Sequence, residues 1–165
     1  MSEITDLAEK LKTEGEKLVA FFEGLTEEQW KTEIYTEDAI WTIRNILAHL
    51  TMSERAFVKL FENIRRDGLG VTEDFVIDRY NAHQQEQSRG LSSFELLKSY
   101  KSVRREMILW LLGISESDLE NTGRHPFLGQ TTLREMIKMV YLHNQIHFRD
   151  IKKILNRDTH LSGPG

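Results

Sequence analysis

Several things are scarce in this 165-residue chain, and each scarcity narrows its chemistry. Cysteine is absent, which removes disulfides, thiolate metal ligands and cysteine nucleophiles together, so any thiol chemistry needs an external thiol. Two prolines leave long segments free of helix breakers. Positive charge is not in excess: 22 Lys and Arg stand against 26 Asp and Glu, a net charge of −4 that gives no electrostatic footprint for nucleic acid. No window approaches the roughly 18 apolar residues of a membrane span. The opening "MSEITDLAEKLKTEGEK" is charged from its third residue and has no apolar core of the signal-peptide kind, so a cytoplasmic protein without a membrane partner is expected. The sequence also lacks a Walker loop, G-x-G-x-x-G, G-x-S-x-G and HExxH, which withdraws support from the enzyme classes built on them.

What is present is helical periodicity. Ile4, Leu7, Leu11, Leu18 and Phe22 recur at helical intervals, and Gly24 stops the pattern. Thr26 and Gln29 have capping-box spacing for a short turn, and "KTEIYTEDAI" reads as a linker with some strand-like content. Thr42 is placed to cap a helix ending near Gly68, with Trp41 stapled on Ile46 and Ile46, Leu47, Leu50, Phe57, Leu60 and Phe61 inward. A shorter, more polar helix is predicted from Thr72 to Gln87. Ser92 and Glu95 open the next, striped by Leu96, Tyr100, Val103, Met107 and Leu111 and stopped at Gly113. After "NTGRHPFLGQT", read as a loop, Thr132 and Glu135 open a last helix running to about Leu155. No Val/Ile/Thr alternation is long enough for a sheet. The predicted fold is therefore all-α: a four-helix bundle with an additional shorter helix, one domain over 1–156 followed by a flexible tail over 157–165.

The histidines carry the chemistry. In "MVYLHNQIHFRD", His143 and His147 replace apolar residues in the stripe of Met136, Met139, Val140, Ile151 and Ile154, with β-carbons about 5–6 Å apart, close enough for both rings to aim at one point. Taken alone, this pair has an ordinary alternative, in which each ring donates to a neighbouring carbonyl or carboxylate. His49, beside Leu50 and three residues after Ile46, adds a third inward histidine from another helix. Helices packed roughly 8–10 Å apart let it reach an ion held by the other two at about 2.0–2.1 Å. Three protein ligands and an open position are the pattern of a catalytic metal. His83 in "NAHQQEQ" is expected on a solvated face, His160 in the tail, and His125, before Pro126, in an exposed loop; none of the three is counted as a site residue.

"WTIRNILAHL" and "LGQTTLREMIKMVYLHNQIHFRDI" resemble the two anchors of the DinB-like superfamily: a tryptophan, cap, helix and metal-binding histidine in the first, and a last helix with paired ligands in the second. That superfamily of metal-binding helical bundles includes bacillithiol transferases and mycothiol-dependent maleylpyruvate isomerases, and the resemblance covers nearly the whole chain. It implies His49, His143 and His147 as ligands of a divalent ion, zinc or nickel, and a small-molecule substrate. The leading expectation is an enzyme that activates a low-molecular-weight thiol for S-transfer. The alternatives are a hydrolase using bound water and a non-catalytic metal-binding or interaction bundle. "RYNAHQQEQSRGLSSFELL" is similar to the family's middle segment, with Asn81 either facing the pocket or on the helix surface. A homodimer through a helix face is the expected assembly, and no catalytic residue beyond the metal ligands is assigned.

Overall fold

Side-chain caps start the long helices, as their sequences require. Ser2 Oγ accepts from the Thr5 N–H to open α1 (Glu3–Glu23). A reciprocal box between Thr42 and Asn45 opens α3 (Ile43–Arg65), and Ser92 opens α5 (Ser93–Leu112) by accepting from the Glu95 N–H. Thr132 Oγ1 accepts from the Glu135 N–H at the start of α6 (Leu133–Ser162). The computed structural model describes residues 2–162. The other elements are α2 (Glu27–Trp30), α4 (Ile77–Ser88), a 3-10 turn (Glu116–Glu120) and four short strands, β1 (Glu33–Tyr35), β2 (Trp41–Thr42), β3 (Thr122–His125) and β4 (Gly129–Thr132).

The bundle is formed by α1, α3, α5 and α6. Helices α1 and α3 each pack on both α5 and α6, and α4 lies against α3. Arg44 on α3 fixes the carboxyl end of α4 by donating to the carbonyls of Ser88 and Arg89, as well as to that of Leu91. Among the described residues no helix is long and apolar enough to cross a membrane.

Two apolar clusters fill the interior. One joins Leu11, Phe61, Ile64, Met107, Leu111 and Met136; the other joins Phe22, Ile43, Ile46, Leu47, Leu96 and Tyr100. Between them every bundle helix contributes to a polar waist: Gly15 on α1, His49 and Glu54 on α3, Arg104 on α5, and His143 and Asn144 on α6. Gly15 makes room here, because a Cβ at that position would lie 2.9 Å from Arg104 Nη1 and the guanidinium would have to shift. That nitrogen donates to the Leu11 carbonyl at 2.7 Å, a bond that such a shift would disturb.

The structure corrects several boundaries. The segment read as the loop "NTGRHPFLGQT" is an antiparallel hairpin with Thr122 opposite Thr132 and His125 opposite Gly129, whose positive φ closes the turn. The strand-like linker is a bulged pairing of Glu33 with Thr42 and Tyr35 with Trp41. Helix α4 starts at Ile77, later than the Thr72 expected, and α6 continues through Ser162, past the Leu155 end expected. Residues 163–165 of the expected tail, and the His160 side chain, lie outside what is described. His125, expected in an exposed loop, is 2% exposed, because its ring stacks on Phe57 beneath the hairpin.

Candidate metal centre

His49 reaches the waist from the second turn of α3, where the Thr42 cap fixes the helix start. His143 and His147 reach it from successive turns of α6. The three rings meet through their Nε2 atoms: His143 Nε2 lies 3.1 Å from His49 Nε2 and 3.0 Å from His147 Nε2. One ligating atom from each lies within 4.8 Å of the others, and the group has three members. Two nitrogens bound at 2.0–2.1 Å to one tetrahedral ion stand about 3.3 Å apart, so the spacing suits a shared cation.

The other ring nitrogens decide what the Nε2 atoms offer. Tyr35 Oη donates to Asp150 Oδ2 at 2.6 Å and lies 2.8 Å from His147 Nδ1. The single phenolic proton is committed to the carboxylate, so His147 must donate from Nδ1, leaving a lone pair on Nε2. Ser53 Oγ stands 3.3 Å from His49 Nδ1 in the equivalent position. Burial and the Asp150 charge raise the Tyr35 pKa, keeping the phenol protonated.

The imidazoles themselves are held neutral. Burial first, then the other two rings, drives His49 well below the ordinary histidine range. Burial and His147 bring His143 to about 3, and burial brings His147 to about 4 against the opposing pull of Asp150. His143 Nε2 has at most one proton to share with two neighbouring nitrogens, one of them the His147 acceptor, so linear hydrogen bonds do not pair all three. A divalent transition-metal ion does, since imidazole nitrogen is a ligand such ions accept. The donor set therefore fits the group.

Aromatic rings and two cavities surround this point. The Trp41 ring lies 5.0 Å from His49 and that of Phe127 5.5 Å from His143. Tyr35 and Trp41 belong to the wall of a polar cavity of about 660 Å³ that also includes Asn45 and Gln85. Ser53 and Phe127 belong to the wall of an apolar cavity of about 110 Å³. Asn81 on α4 lines both, which resolves the choice between surface and pocket in favour of the pocket. His83 is exposed on the same helix, as expected.

A neighbouring network went unread in the sequence. Arg104 donates from Nε and Nη2 to the two oxygens of Glu54 at 2.7 and 2.8 Å, and from Nη2 to Asn144 Oδ1 at 3.0 Å. Tyr100 also donates to Asn144 Oδ1, at 2.6 Å, and Asn144 returns its amide to the Val140 carbonyl at 2.9 Å. The network thus braces the turn of α6 that carries His143. The available signal was register. Glu54 falls on the stripe of Leu50, Phe57 and Phe61, and Arg104 on that of Tyr100, Met107 and Leu111.

His125 was missed as well. Its Nδ1 accepts the backbone N–H groups of Phe127 and Leu128 at 3.1 and 3.2 Å, so Nε2 carries the proton, and among the described residues that buried donor has no partner. Burial lowers its pKa to about 4. An unfolded histidine takes a proton near pH 6.5 that native His125 refuses until about 4. Between those values the unfolded state binds more protons, so the stability this residue contributes is complete above 6.5 and lost progressively as pH falls toward 4, by about 1.4 kcal/mol per pH unit. Urea unfolding of metal-free protein at pH 7, 6 and 5 should show a smaller pH dependence in His125→Asn than in the parent. Equal slopes would contradict this.

Comparison with known proteins agrees with this architecture. No curated sequence matches the chain significantly. Among solved structures it is similar to YfiT from Bacillus subtilis, described as a probable metal-dependent hydrolase with an unusual four-helix bundle topology, at 18% identity and a TM-score of 0.76 over 95% of this chain and 89% of that one. It is also similar to a mycothiol-dependent maleylpyruvate isomerase, at 10% identity and a TM-score of 0.74, covering 91% of this chain but 61% of the other. At these identities the likeness is one of fold. The family model of the DinB superfamily matches residues 10–151, nearly the whole bundle, and the chain belongs to that superfamily.

Proposed function

We propose that the protein is a divalent-metal-dependent enzyme in which His49, His143 and His147 hold the ion, and that it activates a low-molecular-weight thiol for S-transfer to a small electrophile. The observation that carries this reading is the convergence of three neutral Nε2 atoms, with the His147 lone pair fixed from behind by Tyr35 and Asp150. An ion bound by neutral ligands keeps its full charge and supplies the Lewis acidity that makes a thiol or water in the open position a nucleophile near neutral pH. In the transfer, a carbon–sulfur bond forms, the leaving group departs with its electron pair, and the thiol proton passes to solvent. The chain's own residues prepare this step. Tyr35 and Asp150 hold the Nδ1 proton of His147, Trp41 and Phe127 set aromatic rings against His49 and His143, and Asn81 presents an amide to a ligand lying between the two cavities.

A three-ligand group favours an open site over a purely structural ion, which would call for a fourth protein ligand. The missing cysteine agrees with an external thiol. Hydrolysis by activated water uses the same site, and the structural neighbour described as a probable metal-dependent hydrolase keeps it as the second reading. Cobalt substitution of protein purified without a histidine tag separates the two. A thiol entering the open position should add a sulfur-to-metal charge-transfer band. No band with any thiol tested, together with ester or amide hydrolysis, would favour water.

A further inference from the structure

We propose that the small apolar cavity beside the triad receives a short hydrocarbon arm, alkyl or acyl, of the electrophilic substrate. This inference rests on the metal reading of the site. Unlike the larger cavity beside it, this recess of about 110 Å³ against the functional centre has an almost wholly apolar lining. Its volume is nearly four times the roughly 30 Å³ that a water molecule occupies in the liquid, room for a chain of about four methylene groups. Ala56 and Leu60 from α3, Phe75 just before α4, Ile77 at its start, and Phe127 from the β3–β4 turn give it a carbon wall. Such a surface recognises hydrocarbon and rejects charge.

Its position ties it to the chemistry. Ser53, on its wall, bonds His49 Nδ1, and the Phe127 ring packs on His143, so the wall touches two of the three ligands. Asn81 is shared with the larger polar cavity. A ligand whose reactive atom sits at the ion thus places its polar body on the Trp41 side and its apolar arm on the Phe127 side, with the Asn81 amide between them.

The test uses cobalt-substituted full-length protein and straight-chain alkyl hydroxamates from two to eight carbons, whose head group chelates the ion, read through the cobalt d–d spectrum. The dissociation constant should fall about four-fold per added methylene, then level off once about four methylenes have been added. Ala56→Leu, which fills much of the cavity, should flatten the series, and Leu60→Ala should move the levelling point to longer chains. Acetohydroxamate that perturbs the spectrum with no gain along the series would overturn the pocket while leaving the metal reading intact. A rise that never levels and ignores Ala56→Leu would also overturn it, marking contact outside the cavity. Failure to bind cobalt would sink both readings together.

Discussion

His143→Ala should abolish stoichiometric binding of divalent ions while leaving the helical circular dichroism of the protein unchanged. His143 Nε2 is the central atom of the group, 3.1 Å from one partner and 3.0 Å from the other, so its removal leaves two nitrogens and no shared corner. Loss of an outer-shell partner alone typically costs 10–100-fold in metal affinity, and loss of a ligand should exceed the upper end of that range. The bundle survives because its apolar clusters lie on either side of the waist, and the His143 ring belongs to neither. Metal analysis after dialysis against a weak chelator reads the result directly. A variant that retains full occupancy would reduce the three histidines to ordinary core residues.

Glu54→Ala should lower stability by about 3–5 kcal/mol, a large part of the 5–15 kcal/mol that typically holds a domain together. Arg104 is 5% exposed, and burial opposes its charge; the Glu54 carboxylate restores it strongly enough to raise the guanidinium pKa above its ordinary value. Without that carboxylate the cation stays in the waist, bonded to the Leu11 carbonyl and the Asn144 amide oxygen but left with only the weaker Coulombic pull of Glu14. The double replacement Glu54→Met with Arg104→Met removes both charges and should cost much less. Urea denaturation of the two variants makes the comparison. A loss below about 1 kcal/mol in Glu54→Ala would show that water or a structural shift relieves the cation.

The parts of this structure that the sequence disclosed are those with a long period. Four bundle helices could be read because stripes such as Leu96, Tyr100, Val103, Met107 and Leu111 repeat over several turns, and Thr42 and Ser92 mark where two of them begin. The meeting of His49 with His143 and His147 was legible for the same reason, since each interrupts an apolar stripe in register. The hairpin at 122–132 was not, because "TGRH" and "GQTT" carry no alternation of apolar residues; its turn is held by the His125 imidazole accepting from the backbone two and three residues on, a local contact made by a residue outside the usual Asn, Asp, Ser and Thr turn formers. The orienting role of Tyr35 was hidden too, since its partners lie more than a hundred positions away. Glu54 and Arg104 read as polar interruptions of their stripes until the fold set them face to face.

The reach of the waist along the chain bears on how the centre comes into being. His49 and His143 are 94 residues apart, and Tyr35 and Asp150 are 115 apart. Bringing such distant segments together carries a loop-closure entropy that no single contact repays, so assembly waits until the flanking apolar clusters have drawn α3 and α6 into place. No excised helical hairpin of this bundle contains the whole centre. The convergence of the three rings belongs to the completed topology and is lost when cooperative unfolding releases either end of the chain.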